Sequence, residues 1–233
     1  MVNNMQKRTV VVTGGARGIG LGIVRKFIDL GCRVSSWDID HTPLEGNPDN
    51  SKNFQVQVDI ADHSLVKTAV SKTIEELGGI DILINNAGFR ASSPIAEMST
   101  EEWRAAAAVN FDGPFFCTRA VVPGMISNGY GRIITVSGLN AFHGRPNWSH
   151  ICGSKMGAIG MTRALATELA QYGILVNHVV PGAYVAHPDL NRIPLGRVGL
   201  AQELANTYAF RASEDASYIT GQTFHVNGGE IRG

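Results

Sequence analysis

Thr9-Val10-Val11-Val12-Thr13-Gly14-Gly15-Ala16-Arg17-Gly18-Ile19-Gly20 joins an apolar run to a glycine-rich turn, and the amphipathic segment Leu21 to Leu30 continues it with Ile23, Val24 and Phe27 on one helical face. This is the order strand, tight turn, helix. Glycines let backbone come close to an anion, and the N–H groups of a helix's first turn have no internal partners and lie at the positive end of its dipole. The arrangement suits the pyrophosphate of a dinucleotide. A second apolar run, Cys32 to Trp37, ends at Asp38, near the separation from the glycines at which a carboxylate meets an adenosine ribose.

Asp38 also speaks to cofactor choice. A carboxylate accepts hydrogen bonds from both ribose hydroxyls and repels a 2′-phosphate, so NAD is favoured over NADP. Arg17 is the dissenting residue, since a cation in the glycine loop can reach a 2′-phosphate. The spacing Gly14-x-x-x-Gly18-x-Gly20 differs from the commoner dinucleotide fingerprint, so the turn gains its meaning from the strand, helix and acid around it.

With 233 residues, 44% of them hydrophobic, the chain can bury a large core, and no polar linker or composition shift divides it. We expect a single domain over residues 1–233. Formal net charge is zero and there is no long basic run, which argues against nucleic acid or an anionic membrane as the main partner. Cys32, Cys117 and Cys152 are odd in number and widely spaced, a pattern of free thiols in a reducing cytoplasm. Met1–Arg8 is polar and too short for a signal peptide, and no apolar run reaches membrane-spanning length. The seven histidines show no ligand spacing, so no metal is expected.

Beyond Asp38, strand-like and helix-like patterns alternate: Phe54–Val58 then Ser64–Leu77, Ile80–Ile84 then Thr100–Ile126, Arg132–Val136 then Trp148–Tyr172, and finally Leu175–Val180. Such alternation predicts an α/β fold, a Rossmann-type doubly wound parallel sheet of about seven strands with helices on both faces. Ligands on such sheets lie beyond the carboxyl ends of the strands. The remaining motifs fall at those ends.

Those motifs resemble the short-chain dehydrogenase/reductase family across nearly the whole chain: the turn Thr13–Gly20, Asp59 after the third strand, Asn85-Asn86-Ala87-Gly88 after the fourth, Asn110, Ser154-Lys155, Pro181-Gly182, and Ile219-Thr220-Gly221-Gln222. The resemblance implies that Gly14, Arg17, Gly18, Ile19 and Gly20 bind the dinucleotide together with Asp38. It further implies that Asp59, beside Ile60, contacts the adenine amino group and that Asn86, Ala87 and Gly88 line the adenine ribose. Lys155 would hold the nicotinamide ribose, with Pro181 and Gly182 closing the cofactor site.

The departure is at the chemistry. The family carries a tyrosine four residues before the lysine and a serine at the preceding strand end; here those positions hold Ile151 and Gly138, with Ser137 one residue early. Isoleucine cannot transfer a proton. Asn110 and Lys155 remain as catalytic candidates, Ser137 regains the serine role if a one-residue bulge intervenes, and His150 is the substitute acid/base, provided the helix begins late enough. One step along a helix rotates a side chain by about 100°, so a helix already formed at His150 turns it away. Asn140, His143, Trp148 and Ile151 are expected around the substrate, while Arg145 either meets a substrate carboxylate or is simply solvated.

The segment after Pro181-Gly182 has no threonine where the family places one for the carboxamide, and the lid, residues 183–199, is short. Tyr184 and His187 are further donors there. Three readings follow: an NAD-dependent oxidoreductase moving hydride between nicotinamide and a small carbonyl, alcohol or imine-like substrate with altered proton transfer; a non-redox isomerase, lyase or cyclase; or a silent NAD-binding regulator. A shared scaffold leaves reaction type open. The resemblance also implies a homotetramer or homodimer through the two long helices and Gln222–Val226.

Overall fold

The computed structural model describes residues 5–40, 53–184 and 189–231. Seven strands form one parallel sheet in the order β3-β2-β1-β4-β5-β6-β7. They are β1 (Thr9–Thr13), β2 (Arg33–Asp38), β3 (Asn53–Gln57), β4 (Ile82–Asn85), β5 (Gly131–Val136), β6 (Ile174–Pro181) and β7 (Thr223–Val226). The expected class, strand number and layering hold, with strand ends differing by a residue or two. β1, β4 and β5 are buried along their whole length, as their β-branched runs require of strands covered on both faces.

Alternate residues of each strand feed two cores. Val10, Val12, Ile82, Ile84, Ile134 and Val179 pack against α1 (Gly18–Asp29) and α7 (Ala201–Ala212), where Ile23, Val24, Phe27, Leu204 and Tyr208 meet them. On the other face Val11, Leu83, Ile133 and Val176 pack against α2 (His63–Leu77), α4 (Gly113–Asn128) and α6 (Ser149–Leu169). Each such fully buried aliphatic side chain contributes about 2 kcal/mol.

The stretch Thr100–Ile126, expected as one helix, is two: α3 (Thr100–Ala107) and α4, joined by a π turn over Ala108–Asp112. Pro114 supplies the reason, because it lacks the N–H that would bond the carbonyl of Asn110 in an unbroken helix. Strand order reverses between β1 and β4, and the loops leaving these neighbours part there. That gap opens the cleft, bounded further along by α5 (Asn140–His143), the N-terminus of α6 and the segment after β6. Among the described residues no helix is long and apolar enough to cross a membrane, and no cluster of metal-ligating side chains occurs.

Candidate active site

The cleft encloses about 920 Å³. Every residue expected to bind the dinucleotide lines it: Gly14, Arg17, Gly18, Ile19 and Gly20 from the glycine turn, Asp38 from β2, Asp59 and Ile60, Asn86 to Gly88 beyond β4, Lys155 from α6, and Pro181 with Gly182 from the end of β6.

Local chemistry explains the cradle. α2 and α3 have their N-termini closed by side chains, Asp62 accepting from the Ser64 and Leu65 N–H groups and Ser99 accepting from Glu102 in a capping box. α1 has none: it begins after Arg17 with no side-chain cap and no acidic residue in its first turn. The uncapped first-turn N–H groups lie in the cleft wall, where an anion is stabilised. Gly14 and Gly18 adopt φ of 63° and 55°, a region other residues rarely enter. A Cβ on Gly18 would project into open space, whereas one on Gly20 would collide with the Gly14 carbonyl oxygen and come within 2.7 Å of Asn86 Nδ2. Asn86 is the brace of this turn, its Nδ2 donating to the carbonyls of Thr13 (2.9 Å) and Gly14 (3.1 Å) while Thr13 Oγ1 accepts from the N–H groups of Asn86 and Ala87. Its amide donors are thereby spent on the loop, not on a ribose. These residues fit a dinucleotide.

Asp38 Oδ2 accepts from the Ala16 N–H at 3.1 Å, which fixes the carboxylate beside the glycine turn. Arg17, the cation that could have favoured a 2′-phosphate, is ion-paired with Asp40 at 2.7 Å.

At the other end, Ile151 and Lys155 stand one turn apart on α6 and both line the cleft. Lys155 Nζ donates to the Val136 carbonyl at 3.2 Å. Burial, and then the charge of Arg90, push the Lys155 ammonium down to about 8. Ser137 lines the same space, and its buried hydroxyl has no hydrogen-bond partner among the described residues. Beside it, a Cβ on Gly138 would meet nothing within 4 Å.

Several expectations need correction. His150 is not part of the cleft: α6 already starts at Ser149, so the one-residue rotation turns His150 into the interior, 1% exposed, with both ring nitrogens unpartnered among the described residues. Asn110 also lies behind the wall. Its amide is closed on the backbone of Phe89, Oδ1 accepting from the N–H at 2.9 Å and Nδ2 donating to the carbonyl at 3.1 Å. Tyr184 lines the cleft but donates its hydroxyl to the Val226 carbonyl at 2.9 Å, and burial pushes it up to about 12, so it is no ready acid. His143 is exposed at the rim beside Arg192, 3.1 Å from Nε2. Asn140 and Trp148 do line the cleft, and His187 lies outside the described residues.

Sequence reading missed Arg90, Asp189, Arg192 and Glu230, all in the cleft wall. Arg90 could have been found, since it stands two residues after Gly88, beyond the carboxyl end of β4. Arg192 and Glu230 could not, because their 3.4 Å ion pair joins the lid to the C-terminal tail, a contact with no local signature. Part of the lid is tied down: Gly199 N–H bonds the Ala183 carbonyl, and Leu195 N–H bonds that of Gly228.

Comparison with known proteins agrees with this geometry. Residues 8–190 match the short chain dehydrogenase family. A 2-dehydro-3-deoxy-L-rhamnonate dehydrogenase (NAD(+)) of Sphingomonas sp. (strain SKA58) is 35% identical over 95% of this chain and 94% of its own length. A 3-oxoacyl-[acyl-carrier-protein] reductase of Thermotoga maritima is 35% identical over 97% of this chain and 99% of its own. A crystal structure of a candidate short-chain alcohol dehydrogenase from Sinorhizobium meliloti 1021 superposes with a TM-score of 0.93 at 29% identity, covering 99% of this chain and 98% of that one. The chain therefore belongs to the short-chain dehydrogenase/reductase family of NAD(P)-dependent oxidoreductases.

Proposed function

We propose that the protein is an NAD-dependent dehydrogenase or reductase of a small carbonyl, alcohol or imine-like substrate, in which Lys155 takes over the proton transfer that a tyrosine performs elsewhere in the family. The observation that carries this reading is the pairing of Ile151 with Lys155 on one face of α6, an inert side chain and a half-buried amine sharing the same cavity. Gly14, Gly18 and the first turn of α1 would hold the pyrophosphate and Asp38 the adenosine ribose. Bound there, the nicotinamide supplies or accepts the hydride.

The residues account for the rest. Lys155, titrating at about 8, is divided between acid and base near neutrality, where a proton-transfer group is most effective. Its ammonium gives the proton to a forming alkoxide, and its free amine removes one from an alcohol. Ser137, with an uncommitted hydroxyl, would orient the carbonyl oxygen. A cationic imine needs no acid at all, because it already carries the charge that protonation would supply. NAD is favoured over NADP by the anchored Asp38 and by the pairing of Arg17 with Asp40, and the name of the Sphingomonas relative specifies NAD(+).

Calorimetry with NAD and NADP, followed by single-turnover nicotinamide absorbance over carbonyl, alcohol and imine panels, tests the proposal. We expect NAD to bind more tightly and at least one panel to change the absorbance. Substrate conversion at constant absorbance would mean a non-redox enzyme, and NAD-dependent partner binding with neither signal would mean a regulator. Assembly into a homodimer or homotetramer is supported by the apolar side chains Trp103, Phe111, Phe115 and Met156 that α3, α4, α6 and the π turn leave exposed. A monomer in sedimentation at micromolar concentration would overturn it.

A further inference from the structure

We infer that the substrate carries a carboxylate, gripped between the guanidinium groups of Arg90 and Arg145 at the open end of the cleft; the inference builds on the oxidoreductase reading and narrows its substrate class. Arg90 follows β4 and Arg145 precedes α6, so two separate elements deliver cations to the same cavity, with Lys155 at its floor. Both arginines are exposed, and among the described residues no carboxylate forms an ion pair with either. Of the acids that the lid and the C-terminal tail bring to the cleft wall, Glu230 pairs with Arg192, which leaves Asp189 against Arg90, Arg145 and Lys155.

This end of the cavity therefore holds positive charge in excess, and cleft walls of low polarizability concentrate the field on any anion that enters. Arg90 is near enough to Lys155 for their repulsion to be felt. A carboxylate between the cations relieves that repulsion. The cofactor's phosphates do not fill this role, because the glycine turn and the uncapped first turn of α1 already provide for them.

The Arg145 guanidinium lies over the Trp148 ring at 4.2 Å from its centroid. Held over the ring, it offers a fork of N–H donors that can take a carboxylate bidentately. Arg90 can then close on the same group from the β4 side, which leaves the adjoining carbonyl or hydroxyl toward Lys155 and Ser137.

The test titrates oxamate, its neutral analogue oxamide and inorganic phosphate into the protein by calorimetry, with and without saturating NAD. We expect oxamate to bind at least about tenfold more tightly than oxamide, to weaken as potassium chloride is raised, and to lose about tenfold in affinity in Arg145→Gln or Arg90→Gln. NAD affinity should stay unchanged in both variants. Equal binding of oxamate and oxamide, indifference to both substitutions, or phosphate binding in place of oxamate would each overturn the inference. Absence of NAD binding would instead count against the oxidoreductase reading, while the oxamate titration of the free protein would still decide the carboxylate site.

Discussion

In the proposed mechanism the chemistry turns on one side chain, Lys155. Among the described residues the ammonium has one hydrogen bond, to the Val136 carbonyl, and burial with Arg90 nearby lowers its proton affinity from 10.5 to about 8. The sign of the pH dependence follows. If the ammonium is the proton donor, kcat/KM for carbonyl reduction is flat below about pH 8 and falls about tenfold per unit above it. Alcohol oxidation, which needs the free amine, rises through the same region. Steady-state pH profiles check this, and Lys155→Arg, which stays protonated throughout, should remove the break and the oxidation together. An iminium substrate should show no break in either protein. Restoring hydroxyls is the complementary change: the open space beside Gly138 accommodates a serine, and Ile151 already faces the cavity. Gly138→Ser with Ile151→Tyr should therefore raise reduction of ordinary ketones by at least about tenfold; no gain would point to the lid and not to the missing acid.

At the scale of the element, two of the three glycines of α1, Gly20 and Gly22, have opposite needs. A methyl at Gly20 collides with the Gly14 carbonyl and crowds the Asn86 amide, so Gly20→Ala must displace the turn and break bonds from Asn86 to Thr13 and Gly14. We expect a loss of about 1–3 kcal/mol in stability together with most of the NAD affinity. Gly22 meets only Ala201 Cβ at 3.6 Å, an ordinary contact, and Gly22→Ala should gain up to about 1 kcal/mol through helix propensity. Paired urea titrations and NAD calorimetry compare them. The difference shows what could be read in the sequence. Runs such as Val10-Val11-Val12 and Ile82-Leu83-Ile84, with glycines and capping acids between them, are local signals, and they set out the strands, the helices and the cofactor end of the cleft. The direction of His150 was not local, because it depended on whether α6 began at Ser149 or later. The π turn at Asn110 was foreshadowed only by Pro114. Arg192 with Glu230, and Tyr184 with Val226, are contacts across about forty residues, set by packing and not by any pattern within a window.

For the molecule as a whole, buried histidine sets the response to acid. His178 on β6 is wholly enclosed, its Nδ1 3.3 Å from Thr162 Oγ1 and its Nε2 without a hydrogen-bond partner among the described residues. Burial foremost, then the charges of Lys155, His225 and Arg163, lower it from 6.5 to about 3. The unfolded histidine takes up a proton near pH 6.5, while the folded one stays neutral until about 3, so between these values the unfolded state holds more protons. This histidine's contribution to stability is therefore fully present above pH 6.5 and lost as the pH drops toward 3. At pH 5 the loss amounts to about 2 kcal/mol, from 1.5 pH units at 1.36 kcal/mol each. Urea midpoints at pH 7, 6 and 5 should decline accordingly. In His178→Asn the baseline is lower, because a smaller side chain leaves a cavity, but the decline between pH 7 and 5 should be shallower by that amount. An unchanged slope would assign the acid response to other groups. The site is affected by the same event, since protonating His178 would place another charge within reach of Lys155, and NAD-saturated protein should lose ketone reduction at the pH where it begins to unfold and not before.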